Sequence, residues 1–384
     1  MESFVTKFRT LSLPYKTIRN YILFLTILFA ASCGKKNLIE HGPDTIVPPG
    51  HDSVISYENG VFVINEGNYN WGNASISFIN GADSVVDQDV FHHVNNRPLG
   101  DVAEEMKIFN NMGFIVVNNT NTIEVVSLTD FKSIATISGF NSPRNIEFVD
   151  SSKAYVTNML KDISVVDLKT FTISKTITTN NWTESMLRYN DYMFVTCVGV
   201  YNEPNSKRKA RIEVISIKDD RIIDSISTGK EPLGMVMDRK QKMWVLCTGG
   251  FDGFEAPTLV RIDPDLRVAE KVYSFNQGVD SPSKLCINST GDTLYYLNNG
   301  VFKMAVNAAN LSTQALIPSG GHLFYGLGIS PKGKIFVSDA VDYVQNGWVF
   351  EYNQISGALI KTYQAGRIPG SFCFSGLTQK KAIR

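Results

Sequence analysis

Basic side chains recur along this chain at positions that a repeating structure could gather into one place. Arg97, Arg144, Lys230, Lys284 and Arg367 each stand at or just before a short apolar run, while Lys207, Arg208 and Lys209 crowd a single polar loop. Aromatic residues accompany them: Tyr69, Trp71, Trp182, Tyr201, Phe254, Tyr325 and Tyr343. This is the chemistry of recognition. A charge-assisted hydrogen bond contributes roughly 1.5–3 kcal/mol net, and a cation over a ring about 0.5–2 kcal/mol. Converging on one mouth, the two sets suit a bulky, flat-faced anionic ligand. The opposing possibility is that the cations are solvated, or that they pair with Asp101, Glu147, Glu184 and Glu231 nearby in sequence.

Bond-making chemistry is harder to find. No G-x-S-x-G, H-E-x-x-H or C-x-x-C is present. His92 and His93 are adjacent, and on a strand they face opposite ways, which is weak evidence for a metal. Glu66, Asp101, Glu104, Glu147 and Glu184 offer carboxylates for a hard cation such as Ca²⁺ if they converge. Neither a metal nor a cofactor is expected.

Strand-like runs supply the elements that position these residues. After residue 60 the segments GVFVIN, GFIVVNN, KAYVTN, YMFVTC, KMWVLC, TLYYLN and KIFVSD share one shape, an apolar core after a turn. Second and third runs follow most of them, and a shorter run precedes them, giving four strands per unit. Pro98 to Pro143 and Pro232 to Pro282 mark a spacing of ~40–50 residues, the period of a β-propeller. The fold expected is all-β: seven four-stranded antiparallel blades, the last closed by strands from both ends of the chain, with GSFCF innermost and residues 60–91 outside it. No helical periodicity follows residue 34. In such a ring the links between second and third strands leave one face. The longest, at 66–73, 199–210, 249–257 and 340–347, all belong to that class. Links between third and fourth strands read as short. Long insertions gathered on one face mark the binding face of a repeat protein.

The chain divides into a leader at 1–32, a tether at 33–59 and the propeller at 60–378. Lys7, Arg9, Lys16 and Arg19 precede the apolar run Tyr21–Ala31, and small residues lead into Cys33, the pattern of a cleaved lipoprotein signal with Cys33 lipidated. The remaining cysteines, Cys197, Cys247, Cys286 and Cys373, read as small buried apolar residues. With 37 basic and 37 acidic residues the net charge is zero, which argues against nucleic acid as a partner.

The opening GVFVINEGNYNWGNASISFIN and the following LGDVAEEMKIFNNMGFIVVNNTNTIEVVSL resemble the YncE-like, DUF5074-like seven-bladed propellers found among Bacteroidetes surface lipoproteins. That resemblance implies a protein anchored at the outer membrane and facing outward, working beside a TonB-dependent transporter. Relatives of this kind capture cobalamin or ferric siderophores. The ring of Arg and Lys favours a ferric siderophore of the anionic catecholate type, since cobalamin needs no such charge. A cobalamin binder and an adhesion propeller are the alternatives. The GKKN after Cys33, in place of acidic residues, leaves a periplasmic orientation open.

Overall fold

A computed structural model of the chain describes residues 57–80, 86–160, 162–179, 181–198, 210–250 and 255–376. Seven four-stranded antiparallel sheets are arranged as blades. Blade 1 joins both ends of this region: from the inside outward it contains β28 (Pro369–Ser375), β1 (Gly60–Asn65), β2 (Ser75–Asn80) and β3 (Val86–Asp87). Blade 2 holds β4 (Ala103–Phe109), β5 (Met112–Val117), β6 (Thr122–Ser127) and β7 (Ser133–Ser138). Blade 3 holds β8 (Pro143–Phe148), β9 (Lys153–Asn158), β10 (Asp162–Asp167) and β11 (Thr172–Thr178). Blade 4 holds β12 (Trp182–Tyr189), β13 (Tyr192–Val198), β14 (Arg211–Ser216) and β15 (Arg221–Ser227). Blade 5 holds β16 (Pro232–Met237), β17 (Met243–Cys247), β18 (Thr258–Asp263) and β19 (Val268–Ser274). Blade 6 holds β20 (Ser283–Ile287), β21 (Thr293–Leu297), β22 (Gly300–Ala305) and β23 (Ile317–Pro318). Blade 7 holds β24 (Phe324–Ser330), β25 (Lys334–Asp339), β26 (Asn346–Asn353) and β27 (Leu359–Arg367).

The sequence pattern of each strand follows from its radius. Second strands such as β9 are buried along nearly their whole length, because both faces touch a neighbouring blade, so they read as continuous apolar runs. Outermost strands such as β11 and β15 bury little and carry polar residues. The core is correspondingly divided into seven apolar clusters, each spanning one pair of adjacent blades. Closure is made by β1 against β28, with Phe62 opposite Cys373 and Val61 opposite Phe374. Tyr57 adds a ring to the same end, 5.0 Å from Phe78 and 5.3 Å from Phe131.

Three expectations are corrected. Residues to 91 are not all strand: β3 stops at Asp87, and a short helix α1 (Val90–Asn95) follows. Asp89 caps it by accepting from the His92 amide at 3.2 Å, and Val90 and Phe91 are fully buried. Six residues are too few to show a 3.6-residue period. His92 and His93 therefore lie on a helix, both exposed, and His93 pairs with Asp87 at 2.8 Å. The third correction is in blade 6, where the link between its third and fourth strands, residues 306–316, is long. Cys197, Cys247 and Cys373 are buried free thiols, and Cys286 is half-buried. Burial pushes Cys373 and Cys286 up to about 12. Among the described residues no helix is long and apolar enough to cross a membrane. The leader, Cys33 and most of the tether lie outside the described residues.

Candidate ligand-binding mouth

Each innermost strand breaks register near its start. The break falls between Ala103 and Glu105, Pro143 and Asn145, Thr183 and Met186, Pro232 and Gly234, Ser283 and Cys286, and Phe324 and Leu327. In blade 1 it lies in β28 between Pro369 and Ser371. A bulge leaves a residue unpaired and re-aims its side chain. The residues released at the start of these breaks are Glu104, Arg144, Glu184, Leu233, Lys284, Tyr325 and Gly370. One comes from each blade, at the same depth.

Five of them, Glu104, Arg144, Glu184, Lys284 and Tyr325, are linked by contacts and charge around the channel. Arg144 donates to Glu104 through Nη1 and to Glu184 through Nε at 2.8 Å. The three are spaced forty residues apart in sequence because they occupy the same place in blades 2, 3 and 4. The Tyr325 hydroxyl donates to Glu66 Oε2 at 2.9 Å, and Lys284 Nζ stands 5.3 Å from the Tyr325 ring centre. Glu66 reaches inward over Gly370, where any Cβ would collide with its carboxylate. A second layer lies deeper along β4 and β8: Lys107 pairs with Glu147 at 2.7 Å and Glu105 at 3.6 Å, and Asn145 donates to Glu105 at 2.7 Å.

Burial raises Glu104 to about 7, with Arg144 opposing the rise and Glu66 and Glu184 adding to it. Burial alone would lower Arg144, but the Glu104 and Glu184 carboxylates outweigh it and hold the guanidinium protonated. Burial, then Glu66, pushes the Tyr325 phenol well up. The channel mouth is thus a compensated network of three carboxylates around two cations. It is not the ring of cations expected from the sequence.

The predicted residues separate into groups. Arg144 and Lys284 do reach the channel. Arg97 turns outward instead, donating to Glu124 on β6 at 2.6 Å and to Ser133 at 3.0 Å, with its guanidinium 4.8 Å from the Phe91 ring centre. Glu124 is only 2% exposed, and a buried carboxylate draws in the nearest cation. Replacing Arg97 by Ala removes its counter-charge and leaves it only the Ser133 and Thr136 hydroxyls as donors. We expect a loss of about 1–3 kcal/mol in a urea melt, and no change in ligand affinity; an affinity loss with unaltered stability would return Arg97 to the mouth. Lys230 precedes β16, and its side chain lies across Gly250 in the 248–257 link. Arg367 ends β27 and donates through Nε to the Val344 carbonyl at 2.8 Å, tying down the 340–345 link.

Among the aromatics, Trp71 is 74% exposed and Tyr69 67%. Tyr343, also exposed, meets Tyr325 edge-on at 5.6 Å. Asn68 Nδ2 donates to the Tyr343 carbonyl at 2.6 Å, which joins the 66–74 link to the 340–345 link and holds Tyr343 beside the Tyr69–Trp71 turn. Trp182 opens β12, half-buried, paired in register with Val198. Tyr201, Lys207, Arg208, Lys209 and Phe254 lie outside the described residues. The five carboxylates considered for Ca²⁺ do not form one set. Asp101 accepts from the Asn70 amide at 2.8 Å and from Asn119 at 2.6 Å, and Glu147 is taken by Lys107. Among the described residues no group of three or more ligating side chains is placed to hold a metal ion.

Glu104 and Glu184 were read from the sequence as carboxylates that could converge on a cation, and Glu184 as a possible pairing partner of the basic residues; that the cation between them is Arg144 was not. The signal was present as the forty-residue spacing of Glu104, Arg144 and Glu184. Leu233 escaped notice as a channel residue because an apolar side chain at the start of a strand reads as core.

Seven radial four-stranded sheets, closed between first and last strands around a bulge-lined channel, make this a seven-bladed β-propeller. Residues 59–368 match the family described as "Domain of unknown function (DUF5074)", and the chain belongs to that family. No curated protein matches it in sequence. Among solved structures it is similar to a quinonprotein alcohol dehydrogenase-like protein from Bacteroides thetaiotaomicron, with a TM-score of 0.64, 13% identity, and 83% of this chain and 79% of that one covered. It is also similar to the dihydro-heme d1 dehydrogenase NirN (TM-score 0.58, 10% identity, 92% and 84% covered). A functionally unknown protein from Desulfotomaculum acetoxidans gives a TM-score of 0.58 at 14% identity, with 82% and 98% covered. At these identities the likeness is one of fold.

Proposed function

We propose that the protein is a non-enzymatic capture propeller, lipid-anchored through Cys33 at the outer membrane, that takes a bulky, flat, near-neutral ligand of the cobalamin class at its loop-rich mouth. Delivery is to a TonB-dependent transporter. The observation that carries the ligand class is the pairing at the mouth: Arg144 is held between Glu104 and Glu184, while Tyr69, Trp71 and Tyr343 stand exposed beside the channel. An anionic ferric catecholate would be drawn by uncompensated positive charge, and its case rested on five converging cations. Arg97 and Arg367 have other partners, and the cations that reach the channel face carboxylates. Large exposed aromatic faces remain as the recognition element, and these favour a flat ligand without requiring its charge. The anchor, the transporter and the outward orientation rest on the leader and on the family resemblance.

Titrating the purified protein with cyanocobalamin and, separately, with a ferric tris-catecholate complex tests this reading, with tryptophan fluorescence as the readout. Saturable quenching by cobalamin is expected. Trp71→Ala should weaken it roughly tenfold or more, as loss of a buried aromatic anchor of about 2 kcal/mol implies. Tight binding of the iron complex with none of cobalamin would reverse the assignment.

A further inference from the structure

The link that enters blade 7 carries a histidine outside the channel network. His322 Nδ1 lies 2.7 Å from Asp339 Oδ2. Asp339 ends β25, and its side chain is 7% exposed. Its other oxygen accepts from the Leu323 and Val341 amides at 3.0 and 2.9 Å. Two backbone donors fix this carboxylate as an acceptor, which places the ring proton on Nδ1 and leaves the lone pair on Nε2. The ring is held as well as oriented. It lies parallel to Phe324, 2° between planes at 6.1 Å, and against Phe350 at 4.7 Å. Yet the side chain is 47% exposed, and no described residue bonds to Nε2. A histidine tied to a carboxylate through one nitrogen, with the other open, is the arrangement of a metal ligand.

The approach to it is open. Gly320 and Gly321 precede it in left-handed conformations, φ 59° and 92°, and a Cβ on either would meet nothing within 4 Å. The His322 amide closes this turn on the Ser319 carbonyl at 3.0 Å. The turn is also bonded to the mouth. The Ala340 amide donates to the Leu323 carbonyl at 3.1 Å, and the Tyr343 amide to the Ala340 carbonyl at 2.9 Å. Asn68 carries the same connection on to the Tyr69–Trp71 turn. His93 meets a carboxylate too, but on α1, beyond the outermost strand of blade 1. A single imidazole does not hold a bare ion, and among the described residues no group of three or more ligating side chains is placed to do so. It does supply an axial ligand to a metal whose equatorial positions a planar macrocycle fills.

We infer that His322 is the protein's own ligand to the metal of the captured molecule, binding a corrinoid cobalt through Nε2. This rests on the cobalamin reading of the mouth. In aquocobalamin the cobalt carries a water. Nε2 donates its lone pair to cobalt as that water leaves; no electron is transferred, and the Nδ1 proton stays in the bond to Asp339. Cyanide does not leave so readily, so cyanocobalamin is held by its faces alone.

The test titrates the full mature chain with aquocobalamin and, separately, with cyanocobalamin, followed by visible absorption and calorimetry. Exchange of water for imidazole moves the corrin bands to longer wavelength. That shift is expected with aquocobalamin and not with cyanocobalamin. His322→Phe keeps a ring against Phe350 but has no lone pair, and His322→Ala removes the ring. Both should abolish the shift and weaken aquocobalamin about tenfold or more. Cyanocobalamin affinity should change less than about threefold in either variant, which also reports that each is folded. If cyanocobalamin binds while saturating aquocobalamin gives no shift, or if the shift survives in both variants, the inference is overturned and the reading of the mouth stands. Binding of neither cobalamin overturns both.

Discussion

A chain that stops at Ile368 will not give a closed, cooperatively melting ring, even though it keeps all the residues that match the family. The missing strand is β28, the innermost of blade 1. It pairs with β1 along its length, and its Phe372 and Phe374 pack on the cluster between blades 7 and 1. It also hydrogen-bonds both neighbouring blades: the Ser371 hydroxyl donates to the Glu104 carbonyl at 2.9 Å on one side, and the Pro369 carbonyl accepts from Ser338 on the other. Without β28 the β1 edge is unpaired, and an open slot leads into the core. An exposed edge of this kind templates association between chains. We expect aggregation on concentration and a broad, weak thermal transition. The matching chain ending at Gly376 should melt sharply. A truncated protein that stays monomeric and melts within a few degrees of the longer one would show that closure does not depend on β28.

Arg144→Met should be the most damaging single substitution at the mouth. It leaves Glu104 and Glu184, both largely buried, facing a space from which their cation is gone. Removing one partner of a buried pair costs about 3–5 kcal/mol. The loss depends on pH with a defined sign. Glu104 is already raised in the folded state, to about 7 from an ordinary 4.5, so the folded protein holds this proton more tightly than the unfolded chain. Its contribution therefore falls as pH rises from about 4.5 to 7. Taking away Arg144 removes the charge that opposes this rise, so the penalty extends to higher pH. Urea midpoints at pH 8 should drop sharply in the variant and recover in part at pH 5, and Glu104→Gln in the same background should restore much of the loss at pH 8. An equal loss at both pH values, without rescue, would mean that Arg144 stabilises through packing alone.

The propeller was legible in the sequence because each second strand is buried on both sides and must be apolar throughout, so KAYVTN, YMFVTC and KMWVLC announce themselves. The face carrying the long links followed from connectivity alone. What sequence could not supply was the direction of a side chain beyond its strand. Arg97 and Arg144 stand in comparable places before or within innermost strands, yet one turns out to a buried Glu124 and the other in to Glu104 and Glu184. Which carboxylate lies nearer is decided by packing between blades forty residues apart, and local pattern does not report it.

Charge at the mouth is compensated within the protein, and the recognition proposed there is aromatic. Cyanocobalamin affinity measured from about 50 to 500 mM NaCl addresses it directly, since capture by free cations loses strength steeply as screening length shrinks over that range. We expect an affinity that changes less than about threefold across this span while remaining sensitive to Trp71→Ala. An affinity that falls tenfold or more with salt and ignores Trp71 would contradict it.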